Sequence, residues 1–157
     1  MSDVQQPTFG IEKIYVKDLS LEVPGGPQTF MQAEQPQLEV QITQKAERVN
    51  EHLFEVTLVI TVSAKRGDKT LFLVEASQAG VFQIRNVPEG DLAPVLGIVC
   101  PNVLFPYARE TVSDIINRAG FPPVLLAPVN FEALYQQRTA ETAAAAQPGG
   151  PRIEIAH

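Results

Sequence analysis

"LFEVTLVITVSAKRGDKTLFLVEASQAGVFQI", residues 53–84, decides the fold. In its first half Phe54, Val56, Leu58, Ile60 and Val62 alternate with Glu55, Thr57, Val59, Thr61 and Ser63. Strand side chains point alternately to two faces, so this period of two predicts a strand. "KRGDK", residues 65–69, is a polar turn. In the second half Phe72, Val74, Ala76, Phe82 and Ile84 share one parity, and Leu71, Leu73, Glu75 and Ser77 the other. Two such segments around a short turn make an antiparallel hairpin. Both carry apolar residues on both faces, which exceeds what a two-layer protomer must hide. That excess predicts a subunit interface or an exposed apolar groove.

The flanks extend the pattern. "FGIEKIYVKDLSLEV", residues 9–23, alternates with Phe9, Ile11, Tyr15, Leu19 and Leu21 on one parity. Ile14, Val16, Asp18, Ser20 and Glu22 take the other. "PGGPQTFMQAEQP", residues 24–36, is too long and proline-rich for a tight hairpin and reads as a crossover loop. Beyond it "LEVQITQKAERV" is a further strand, with Leu38, Val40 and Ile42 on one face. From about Pro106 the apolar spacing turns helical, through Ala108, Val112, Ile115, Ile116 and Ala119. Gly120 and Pro122-Pro123 end that helix. A second helix starts after Asn130, an N-cap residue type, and carries Phe131, Leu134 and Tyr135. The expected fold is α+β: a four-stranded antiparallel sheet with two helices packed on one face. The expected organisation is a flexible N-terminus over 1–8, a single domain over 9–141, and a disordered tail over 142–157.

Composition narrows the function. At 157 residues and 45% apolar content the chain suits one globular domain. No run approaches the roughly 18 apolar residues of a membrane span, and "MSDVQQPTFG" has no leader character. With one cysteine there is no internal disulfide, and the cytosol is the expected compartment. A formal charge of −6 disfavours nucleic acid or an anionic membrane as partner and is compatible with a basic protein.

Little chemistry is on offer. His52 and His157 have no partner at metal-ligand spacing. Cys100 precedes Pro101 in apolar surroundings and reads as a buried hydrophobe. "PGGP" lacks the Lys-Ser/Thr and helix of a phosphate loop, and "RGD" at 66–68 is a polar hairpin tip. No enzyme, metal or cofactor is expected. Asp18 and Glu22 share a strand face. If the first and fourth strands pair, they form an acidic patch with Glu75 around Leu73. Ordinary solvated strand residues give the same pattern. A small ligand-binding domain, or an adaptor for one folded partner, remains an alternative.

"CPNVLFPYARE" (100–110) and "FPPVLLAPVNFEALY" (121–135) resemble the SecB protein-export chaperone family, as do "IYVKDLSLEVP" (14–24) and "EASQAGVFQI" (75–84). The resemblance covers roughly residues 9–137. It implies a homotetramer, a dimer of dimers, that holds unfolded secretory precursor proteins in the bacterial cytosol without ATP. It also implies their delivery to the translocase ATPase SecA, with no cofactor. The family's SecA-contacting positions correspond to Asp18, Glu22, Leu73 and Glu75, and its assembly positions on strand four to Val74, Ala76 and Gln78. Its client groove corresponds to Phe30, Leu38, Val40, Ile42, Phe131, Leu134 and Tyr135. Glu34 stands where the family has a tryptophan, Val74 where it has a cysteine, and the tail is Ala-rich where the family's is often acidic.

Overall fold

In the computed structural model, which describes residues 5–146, the central hairpin is β3 (Leu53–Arg66) and β4 (Lys69–Arg85). Gly67, at φ 61°, takes the left-handed conformation that the two-residue turn demands. β1 (Thr8–Glu22) pairs antiparallel with β4, and β2 (Gln37–Arg48) with β3, giving the order β1-β4-β3-β2. The segment after β1 therefore crosses the whole sheet, as its length and prolines predict.

One face of the sheet is the core. Phe54, Val56, Leu58, Ile60 and Val62 of β3 are buried there, with Phe72, Val74, Ala76 and Phe82 of β4. The helical layer is longer than its periodicity suggests. Glu89–Arg118 is one continuous helix of 30 residues: α1 (Glu89–Pro94), a π turn (Val95–Val99) and α2 (Cys100–Arg118). The expected start near Pro106, a residue tolerated in a first turn, is thus 17 residues too late: Pro94 and Pro101 lie inside the helix, where proline ordinarily interrupts it. A π turn lies between Pro94 and Pro101: the Cys100 N–H donates to the Val95 carbonyl, five residues back. Leu104, Ala108, Val112 and Ile116, each four apart, form the buried stripe that seats α2 on β3 and β4. Each large side chain so buried contributes about 1.5–3 kcal/mol.

Against expectation, this helix is long and apolar enough, by length and composition, to cross a membrane, and only 28% of its most apolar window is buried. Val99 and Tyr107 stay exposed on it. α3 (Phe131–Ala146) follows, with the Ala133 N–H donating to Asn130 Oδ1 at 2.9 Å, the expected cap. It runs five residues beyond the expected boundary at 141. Its alanines favour helix, and the Thr139 and Thr142 hydroxyls bond to carbonyls four residues back. The rest of the expected tail, 147–157, lies outside the described residues, as do residues 1–4 of the N-terminus.

Register departs from simple alternation at three places. β1 shifts between Ile11 and Lys13 and again between Val16 and Asp18. The bulged residues are Glu12 and Lys17. Between them Ile14 and Val16 stand opposite Gly80 and Gln78 on the helix-covered face, and Tyr15 turns to the open face. Parity counted straight through puts these three on the wrong sides. A third shift leaves Leu71 between the paired Phe72 and Thr70, and Leu71 and Phe72 are consequently both buried.

Candidate functional site

A Schellman motif ends α2. The Gly120 N–H donates to the Asn117 carbonyl at 3.0 Å and the Phe121 N–H to the Ile116 carbonyl at 3.2 Å, with Gly120 at φ 94°. This turn aims Phe121 at the sheet, its ring centroid 4.7 Å from that of Phe72. Phe30, carried by the 3-10 turn Gly26–Phe30 of the crossover loop, packs on its other side at 5.1 Å. Arg66 pins the loop: Nε and a terminal nitrogen donate to the Glu34 carbonyl at 3.1 and 2.6 Å, and both terminal nitrogens reach Gln32. The "RGD" arginine is thus a loop clamp. Between loop, sheet and turn lies a cleft of about 640 Å³, lined by Phe30, Leu38, Leu71, Phe121 and Leu125 among others. It is built to expose apolar surface: Leu125 is 80% exposed, Phe30 53% and Leu38 45%.

A second cleft, of about 620 Å³, opens farther along β2, between Gln44–Ala46, Leu96, Gly97 and α3. Pro101 has no N–H for the carbonyl four residues back, that of Gly97. Gln44 Nε2 donates to this carbonyl at 3.0 Å and ties β2 to the π turn. The Tyr135 ring lies where a Gly97 side chain would stand; an added Cβ would come within 2.7 Å of it. Val40, 44% exposed, occupies the stretch of β2 between the two clefts.

The opposite face of the sheet is open and acidic. Glu22 stands across from Leu73, Ser20 from Glu75 and Asp18 from Ser77, so Asp18, Glu22, Leu73 and Glu75 share this face, all exposed. Farther along, the Tyr15 hydroxyl donates to Glu55 Oε2 and Lys17 Nζ donates to Glu55 Oε1 at 2.5 Å. The Lys17 bond, then the Tyr15 bond, hold the Glu55 carboxyl below its usual range, and the same contacts raise Lys17 and Tyr15. Thr57, beside them on this face, is 1% exposed, and among the described residues its hydroxyl has no partner.

Comparison with known proteins places this architecture. The family model described as "Preprotein translocase subunit SecB" matches residues 2–142. The chain belongs to the SecB family. A protein-export protein SecB from Chromobacterium violaceum is 60% identical over 147 residues, covering 92% of this chain and 98% of that one. Those of Nitrosospira multiformis and Aromatoleum aromaticum are 57% identical over 155 residues and 65% identical over 132, covering 98% and 83% of both chains. A solved structure of the Mycobacterium tuberculosis SecB-like chaperone, in complex with a peptide from an antitoxin, shares the fold. Its TM-score is 0.62 at 17% identity, covering 77% of this chain and 87% of that one. As a SecB-family protein, the chain is a chaperone of protein export.

Within this SecB-family fold the expected client residues are distributed rather than gathered. Phe30 and Leu38 line the first cleft and Tyr135 the second. Ile42 and Leu134 are half-buried against the core. Phe131, only 2% exposed, is a core residue packed edge-on to Phe105 at 6.0 Å, and offers a client no surface. Val74 and Ala76 are fully buried and Gln78 is 4% exposed, its Oε1 accepting from the Thr111 hydroxyl of α2 at 2.9 Å. These three face α2 of the same chain. Phe121, Leu125, Gln44 and Leu96 were not singled out from sequence, although Phe121 and Leu125 sit in the quoted "FPPVLLAPVNFEALY". Burial pushes the Cys100 thiol up to about 12, which leaves it unreactive at neutral pH. Among the described residues no group of three or more His, Cys, Asp and Glu is arranged to hold a metal ion.

Proposed function

We propose that this protein holds unfolded precursor chains in the two apolar clefts flanking β2, works in the cytosol as a homotetramer, and passes clients to SecA through its acidic sheet face. It does so without catalysis or cofactor. The observation that carries this reading is the group of exposed apolar side chains around one edge strand, Leu38 and Val40 on β2 with Phe30 of the crossover loop and Leu125 after α2. Such a surface recognises apolar segments and little else. A buried large apolar side chain contributes about 1.5–3 kcal/mol, and ordering each client residue costs about 1–2 kcal/mol. Single subsites therefore bind weakly. Many subsites spread over four protomers bind tightly through effective concentration, and select chains whose apolar segments are not already folded away. Among the described residues the outer edge of β2 carries no strand partner. It offers main-chain hydrogen bonds that are indifferent to client sequence.

The tetramer is supported by the sparsely buried Glu89–Arg118 helix, whose exposed Val99 and Tyr107 call for an apolar partner. The SecA reading is supported by Asp18, Glu22 and Glu75 exposed around Leu73, a face suited to a basic segment. The test uses photo-crosslinkers at Leu125 and Thr139. Both should capture a denatured precursor and neither its native form. Capture only at sites on the acidic face would move client binding off the clefts.

A further inference from the structure

The acidic face depends on a bulge. Lys17 and Asp18 together stand opposite Ser77, so Lys17 is the extra residue of β1. Strand side chains alternate, and a one-residue slip here would turn Asp18, Ser20 and Glu22 toward α2. Something must hold the register. Lys17 Nζ donates to Glu55 Oε1 at 2.5 Å, and the hydroxyl of Tyr15, two residues earlier, donates to the other oxygen of the same carboxylate. Glu55 belongs to β3, with β4 between it and β1. The Glu55 side chain is only 16% exposed. The bulged residue and the residue two before it are thus tied across a strand to one carboxylate on a central strand.

We propose that Glu55 is a positioning residue for the acidic face: through Lys17 and Tyr15 it holds β1 in the bulged register that presents Asp18 and Glu22 beside Glu75. This rests on the reading of that face as the SecA surface. The two accounts of Lys17 predict opposite signs. If only net charge matters, removing a lysine makes the face more acidic and tightens binding to a basic partner. If Lys17 positions the strand, removing it weakens binding.

The experiment measures SecA affinity of the intact protein at fixed ionic strength, with the urea midpoint and client holding recorded in parallel. Lys17→Met and Tyr15→Phe should each weaken SecA binding by about threefold, the size of effect a surface ion pair carries, while client holding stays at the wild-type level. Lys17→Arg, which keeps the donor, should restore it. Tyr15→Phe changes no charge and carries the same test should Lys17→Met lower the urea midpoint. Asp18→Lys with Glu75→Lys is the control. If that pair leaves SecA affinity unchanged, the reading of the face fails. If it weakens SecA binding while Lys17→Met tightens or preserves it, or Tyr15→Phe has no effect, the positioning role of Glu55 is overturned.

Discussion

The rings of Phe30 and Phe121 pack with centroids 5.1 Å apart, one carried by the crossover loop and the other by the turn that ends α2. The contact joins segments about 90 residues apart in the chain and forms the wall of the first cleft. The two rings differ in burial, and their substitutions should differ accordingly. Phe30 is 53% exposed, so Phe30→Ser should cost under about 1 kcal/mol of stability. It should speed client release roughly tenfold, the loss of one large apolar contact. Phe121, half-buried against Phe72, should cost about 2–4 kcal/mol as Phe121→Ala. Urea melts and release kinetics from a labelled unfolded client separate the two effects.

Gln44 should matter for stability although it lies on an edge strand. Its amide is the side-chain donor to the Gly97 carbonyl, which Pro101 leaves without its helical partner. Gln44→Leu should destabilise by about 1–3 kcal/mol, the cost of leaving a partly buried carbonyl unpaired. The urea midpoint should fall with the slope unchanged.

Val74→Asp distinguishes a core position from an interface position. Val74 is fully buried within the protomer. A carboxylate there has no partner, and its burial costs several kcal/mol. The variant should lose cooperative unfolding by circular dichroism, rather than persist as a folded dimer. A stable, folded species of lower mass would show that the position acts on assembly alone.

Glu55 predicts the pH response of the β1 bulge. Its folded carboxyl sits below the ordinary 4.5, chiefly through the Lys17 bond. A depressed carboxylate contributes stability that is present above the unfolded value and is lost as pH falls through the folded one. Both partners are raised, so their contribution is full below about 10 and is lost only at alkaline pH. Wild type should therefore lose its advantage over Glu55→Gln below about pH 4.5 and keep it from pH 5 to 9. With Lys17 partly exposed, solvent screening keeps that advantage small. Paired urea titrations across pH give the difference directly.

The sheet was legible because large apolar residues hold one parity through Phe54–Val62 and Phe72–Ile84, and the face they share is wholly buried. The acidic face was legible because Asp18–Glu22 and Leu73–Glu75 lie in locally regular strand. Parity failed at Ile14, Tyr15 and Val16 because a bulge resets alternation, and one inserted residue leaves no mark in composition. The first half of the long helix was hidden by its prolines; the carbonyl that Pro101 leaves without its helical donor is met by Gln44, a side chain 53 residues distant. Phe131 misled because its helical position signals an apolar face without saying which neighbour covers it. Phe121 was overlooked because its placement comes from the Schellman turn at Gly120, not from any periodicity.

The central claim is that Phe30, Leu38, Val40 and Leu125 bind unfolded chains by apolarity alone. The most direct measurement is the refolding rate of two unrelated slow-folding proteins with the chaperone in excess and no nucleotide, comparing wild type with Leu38→Asp/Leu125→Asp at matched oligomeric mass. Leu125 is largely exposed and Leu38 nearly half exposed, so the variant should keep its fold. The account predicts that wild type delays both substrates, that the variant delays them at least tenfold less, and that native forms of the substrates bind neither. A variant of unchanged mass that delays refolding as well as wild type would contradict it.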